Sequence, residues 1–122
     1  MDQFINCPRK QAIQESYKNG YLTKKKTNGR PFQTDQWQAG MGLVDCTNPD
    51  AVKWYRDELN KMVDMGVDAF NTDFGEKIPA KDIVYHDGSD AALIHNYYTF
   101  LYNETVSDVL EKCRDKHDVP VC

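Results

Sequence analysis

The chain has 122 residues, 40% of them apolar and 28% charged, with 7 Tyr, 5 Phe and 2 Trp. That balance suits one modest globular domain, residues 1–122, and excludes a disordered segment. A formal net charge of -4 opposes binding to a phosphate backbone, and no apolar run reaches the ~18 residues that cross a bilayer, so neither nucleic acid nor membrane is an expected partner.

Phe4 and Ile5 read as a strand end broken by Pro8, after which "KQAIQESYKNG" predicts a short polar helix closed by Gly20. Asn28-Gly29, flanked by "YLTKKKT" and "RPFQTD", predicts a β-hairpin with positive φ at both turn positions. The basic run Lys24, Lys25 and Lys26 then falls beside its solvated tip. "MGLVDC" reads as a buried strand ending at Asp45 or Cys46. "TNPD" supplies an N-cap and a proline for the first helical position. Val52, Tyr55, Leu59, Met62 and Val63 recur at helical spacing and give this second helix an apolar face that Gly66 ends.

Residues 67–72 predict the next strand, followed by a long irregular loop, "FGEKIPAKDIVYHDG". Ser89-Asp90 then caps a helix whose inner face is Ile94, Tyr98, Leu101, Thr105 and Val109. Strands alternating with helices predict an α/β fold with a parallel sheet, in which catalytic groups sit in loops beyond the C-terminal ends of the strands. Asp45 and Asp73 both fall at such ends.

The four cysteines, Cys7, Cys46, Cys113 and Cys122, form no C-x-x-C pair, and no His stands at zinc-finger spacing, so no metal site is expected. "MDQFINCPRK" has neither the basic start nor the apolar centre of a signal peptide. Together these features predict a reducing, cytoplasmic setting.

In "NTDFGEKIP", two acids flank Gly75, which lets the backbone turn sharply. A lone loop carboxylate commonly accepts backbone N–H bonds. A pair of carboxyl groups suits glycoside hydrolysis, where one attacks or activates water and another assists the leaving oxygen. Three residues along one turn seldom straddle a sugar ring, so Glu76 reads better as a support for Asp73 than as its acid partner. Trp37, in "DQWQAGMG", suits either core packing or stacking on a sugar face. His86, Asp87 and His95 read as capping or hydrogen-bonding residues, and none forms a nucleophile elbow with a Ser or Cys.

Taken together, "WQAGMGLVDCTNPDAVKWY", "MGVDAFNTDFGEKIP", "DGSD" and "HNYYTFLYNE" resemble glycoside hydrolase family 31, most closely its α-xylosidase branch, over residues 5–109. The resemblance implies a partial (β/α)8 TIM barrel, roughly the second to fourth βα units, with an inserted β-hairpin. A whole barrel takes ~250 residues.

The resemblance further implies a retaining α-glycosidase that releases terminal α-linked xylose or glucose from oligosaccharides, without a cofactor. Asp73 matches the catalytic nucleophile, Trp37 a tryptophan of the sugar pocket, and Glu76 the supporting acid that closes the motif. Two positions depart from the pattern: Asn71 stands where the motif usually has a substrate-contacting lysine, and Phe4 stands near a frequent pocket tryptophan. The acid/base that the reaction needs has no match, so the isolated chain is expected to be inactive, with oligomerisation left to the complete enzyme. The rival expectation is a non-catalytic carbohydrate-binding or structural remnant that retains the Trp37 surface.

Overall fold

The computed structural model describes residues 10–117 apart from 36–39, 74 and 76. Helix α1 (Lys10–Asn19) is followed by strands β1 (Lys24–Lys25), β2 (Gln33–Thr34) and β3 (Met41–Gly42). Helix α2 (Pro49–Asp64), strand β4 (Ile83–Val84) and helix α3 (Ala91–His117) complete the order. The expected strand end at Phe4 and Ile5 lies outside the described residues.

Both helix-end predictions hold, and each rests on the same local chemistry. Tyr21 N donates to Ser16 O at 2.9 Å and Gly20 N to Tyr17 O at 3.3 Å. Val67 N donates to Met62 O at 3.1 Å and Gly66 N to Val63 O at 2.8 Å. These paired bonds satisfy the last carbonyls of α1 and α2 in the manner of a Schellman cap. At the start of α2, the Asn48 side chain accepts from Asp50 N at 3.0 Å and Ala51 N at 3.5 Å, with Pro49 behind it. Asp90 caps α3 likewise, accepting from Ala92 N at 2.9 Å and Leu93 N at 3.3 Å.

The hairpin forms, with a different turn. Lys25 N bonds to Arg30 O at 2.7 Å and Gly29 N to Lys25 O at 2.9 Å. Among the described residues of the turn only Gly29, at φ +66°, has positive φ. Asn28 instead accepts from Arg30 N through its side chain at 3.0 Å. The longer loop, closed by an Asn side chain, replaces the two-residue turn that Asn-Gly predicts.

The sheet differs more. β1 pairs with β4 (Lys24 opposite Val84, Lys25 opposite Ile83) and β2 with β3 (Gln33 opposite Gly42, Thr34 opposite Met41), both antiparallel. Antiparallel bridges join Leu22 to Val44 and Lys24 to Pro31. The backbone of the buried run 41–46 thus bonds to the segments that precede it: Thr23 N donates to Leu43 O at 2.9 Å and Asp45 N to Tyr21 O at 2.8 Å. The expected strand over residues 67–72 joins no ladder among the described residues. A strand needs a neighbouring strand to take its backbone hydrogen bonds, and the four described strands pair with one another. The loop expected to be irregular contains β4.

The core lies between α2, α3 and the run 41–46. Tyr98, Tyr102, Val106 and Val109 of α3 face Ala51, Trp54, Tyr55 and Leu59 of α2, with Leu22, Leu43, Val44 and Cys46 beneath. The predicted inner face of α3 is buried, with Leu101 only partly so. That of α2 is rotated: Ala51, Trp54 and Glu58 are buried, whereas Val52 and Val63 are partly so. Three contacts lock the layers. The Tyr98 hydroxyl donates to Val44 O at 2.8 Å within the core. The Tyr55 and Tyr102 rings tilt against each other with centroids 6.4 Å apart. Arg56 of α2 pairs with Asp108 of α3.

Candidate active site

The two strand-end aspartates that the sequence singles out have different surroundings. Asp45 is buried, and its carboxylate is occupied. Oδ1 accepts from Thr47 N at 3.0 Å and from the Thr47 hydroxyl at 2.7 Å, and Oδ2 accepts from His86 N at 2.7 Å. A carboxylate so bonded by backbone and hydroxyl donors ties the end of the 41–46 run to the loop after β4. Asp87 continues this tie. Its side chain accepts from Ser89 N at 2.9 Å, and hydrogen bonds from Ser89 hold its carboxyl below the ordinary carboxylate range. Asp87 is therefore structural, as its sequence context predicts, and His86 joins the tie through its backbone N–H.

Asp73 is solvent-exposed, at the end of a segment in which Val67 and Phe70 are half-buried and Asp68, Ala69, Asn71 and Thr72 are exposed. Asn71 shares that exposed surface. Phe4, Trp37 and Glu76, the other predicted site residues, lie outside the described residues. Lys77, just beyond the turn, is exposed; Ile78 is buried. A cleft of about 440 Å³ is lined by residues that include Phe32, Thr34, Leu43, Lys77, Ile78 and Pro79. Asp73 and Asn71 do not line it. Among the described residues no cluster of three His, Cys, Asp or Glu side chains could hold a metal ion, and no helix is long and apolar enough to cross a membrane.

The turn itself is held from the side of α3, which the sequence does not reveal. Gly75 is buried, and its carbonyl accepts from the Thr99 hydroxyl at 2.8 Å. A Cβ built on Gly75 would stand 2.9 Å from Cδ1 and 3.4 Å from Cε1 of Tyr102, so the backbone approaches the ring too closely for any other residue without a shift. His95 Nδ1 lies 2.5 Å from the Ile78 carbonyl oxygen; a carbonyl only accepts, so Nδ1 carries the hydrogen and donates it. The available signal was the spacing of His95, Thr99 and Tyr102, one helical stripe next to the apolar face.

The family model for the glycosyl hydrolases family 31 TIM-barrel domain matches residues 1–121. The chain belongs to glycosyl hydrolase family 31. It is 52% identical over 100 residues to the α-xylosidase XylQ of Lactiplantibacillus pentosus and 48% identical over 99 residues to an α-xylosidase of Emericella nidulans. These matches cover 82% and 81% of this chain but 13% of each relative, so the chain spans about one eighth of the curated relatives it matches. Among solved structures, a family 31 sulfoquinovosidase from E. rectale, in complex with the aza-sugar inhibitor IFGSQ, superposes with a TM-score of 0.78 at 27% identity. That match covers 84% of this chain and 15% of the other. The family 31 membership and the α/β character of the fold accord with the resemblance seen in the sequence.

Proposed function

We propose that this family 31 chain is the nucleophile-bearing portion of a longer, retaining α-glycosidase that hydrolyses terminal non-reducing α-linked xylose or glucose from oligosaccharides. Within that enzyme it supplies roughly the second to fourth βα units of the barrel. The observation that carries the proposal is the T-D-F-G-E turn, with Asp73 exposed at its start, in a chain about half identical to two α-xylosidases.

In the reaction a carboxylate oxygen of Asp73 attacks the anomeric carbon as the bond to the leaving oxygen breaks and that oxygen takes a proton from a carboxylic acid. Water, deprotonated by the same group, then releases the sugar and restores Asp73. The two carboxyl groups must stand ~5–5.5 Å apart. Asp45 is assigned a structural role and not this one, since its buried carboxylate accepts three hydrogen bonds from Thr47 and His86. The acid/base is assigned to the remainder of the enzyme, and the 122-residue chain alone is inactive. Glu76 supports the turn, while Trp37, Asn71 and Phe4 contact the sugar. The free thiols of Cys46 and Cys113 suit a cytoplasmic location.

The test is hydrolysis of aryl α-xyloside and α-glucoside by the complete gene product and by the isolated chain. Turnover of either glycoside with initial release of the α-anomer, by the complete protein alone, is expected. Turnover by the isolated chain would contradict the partition of the two carboxyl groups, and binding without turnover by the complete protein would favour the carbohydrate-binding remnant.

A further inference from the structure

Residues 67–73, which deliver Asp73, join no ladder among the described residues. The far side of the turn is fastened to α3. Two residues beyond Asp73, the Gly75 carbonyl accepts from Thr99 Oγ1 at 2.8 Å, and Gly75 Cα lies against the ring of Tyr102, where an added Cβ would come within 2.9 Å. One helical turn earlier on α3, His95 donates to the Ile78 carbonyl. His95, Thr99 and Tyr102 stand on one stripe of a single helix, so their contacts register the turn along a rigid rod.

That rod is itself fixed. Tyr102 is 1% exposed and meets Tyr55 of α2, and Tyr98 is anchored to Val44. A continuous line of packed groups therefore runs from the core to Gly75. With Cα atoms 3.8 Å apart along the chain, fixing Gly75 confines the Cα of Asp73 to within about 7.6 Å of it.

We propose that Thr99 is a positioning residue for the nucleophile: together with the Tyr102 ring it fixes Gly75 and thereby aims the Asp73 carboxylate. The proposal rests on Asp73 being the nucleophile. Its contribution is geometric, because a displacement of about 1 Å in a reacting group can cost ~10²-fold in rate. The Thr99 hydroxyl is engaged by the Gly75 carbonyl, so its loss is expected in kcat and not in KM.

The test uses the complete enzyme with Thr99→Val, which keeps the shape and removes the donor, and Thr99→Ser, which keeps the donor. Thr99→Val is expected to lower kcat and the rate of covalent trapping of Asp73 by a fluoroglycoside about 30-fold, within the range such misplacement allows, with KM within threefold. Thr99→Ser should restore both to within threefold of the parent. Amide hydrogen exchange at residues 75–78 should accelerate at least tenfold in Thr99→Val while exchange at residues 41–46 stays unchanged.

A kcat within twofold of the parent in Thr99→Val would overturn the proposal, as would equal losses in the Val and Ser variants, which would assign the effect to packing. If the parent enzyme is not labelled at Asp73, the nucleophile assignment fails. Exchange then still reads the tether separately: faster exchange at 75–78 in Thr99→Val upholds the clamp on the turn, and unchanged exchange overturns it.

Discussion

Replacing Asp45 with Ala probes the tie between the 41–46 run and the loop after β4. The carboxylate accepts three hydrogen bonds, from Thr47 N, the Thr47 hydroxyl and His86 N, at 3.0, 2.7 and 2.7 Å. Hydrogen bonds to a charged acceptor contribute ~1.5–3 kcal/mol each. Thr47 is half-buried and His86 exposed, so water can reach part of what is orphaned. The net local loss is then about 3 kcal/mol, below the simple sum of about 4.5–9 kcal/mol because water replaces part of the lost bonding. That corresponds to on the order of 100-fold in a local opening equilibrium. Peptide-resolved hydrogen exchange should show it at residues 45–48 and 86–88 together, although the two segments are some 40 positions apart. Asp45→Asn keeps one carbonyl oxygen for Thr47 and turns an amide donor toward His86, so it should lose about half as much. Exchange within threefold of the parent in Asp45→Ala, or acceleration confined to one segment, would refute the role assigned to this carboxylate.

Other outcomes follow from the same geometry. Cys46 is buried among apolar groups, and burial pushes its thiol up to about 12; it stays protonated at pH 8 and should resist alkylation until the protein is denatured. Cys113, half-buried, should react before Cys46, and native labelling of Cys46 at the Cys113 rate would contradict the packing around Tyr98 and Val44. Asp73→Ala in the complete enzyme should lower kcat/KM by on the order of 10⁴-fold. A loss under tenfold would move the nucleophile elsewhere.

The parts legible in the sequence are those whose chemistry is local. Asn48-Pro49 and Asp90 mark helix starts because a cap needs only its own side chain and the next two amides. Gly20 and Gly66 mark helix ends for the same reason. The inner face of α3 was readable from its period. That of α2 was displaced because Trp54 and Glu58, which the core buries, carry polar atoms that mask a purely apolar pattern. Asn28-Gly29 marked a hairpin, while the side-chain bond from Arg30 N to Asn28 chose its turn.

What depends on distant partners was not legible. Residues 41–46 are buried as their composition predicts, but strand pairing is limited to Met41–Gly42 with a bridge at Val44; that pairing with residues 21–34 follows from the hairpin folding back on them, and periodicity says nothing about direction. The segment 67–72 has strand composition, but composition does not supply ladder partners. At the site, the family motif singled out Asp73, whereas the clamp at Gly75 involves Thr99, 24 positions away. The hints in the sequence were Gly75 itself and the helical stripe of His95, Thr99 and Tyr102.

The assignment of Asp73 as nucleophile is tested most directly by trapping. The complete enzyme is incubated with 5-fluoro-α-xylosyl fluoride, digested, and mapped by mass spectrometry. A single fluoroglycosyl adduct on the peptide bearing Asp73, absent in Asp73→Ala, is the predicted result; a stable adduct on any other residue, or turnover of the reagent that persists undiminished in Asp73→Ala, would contradict it.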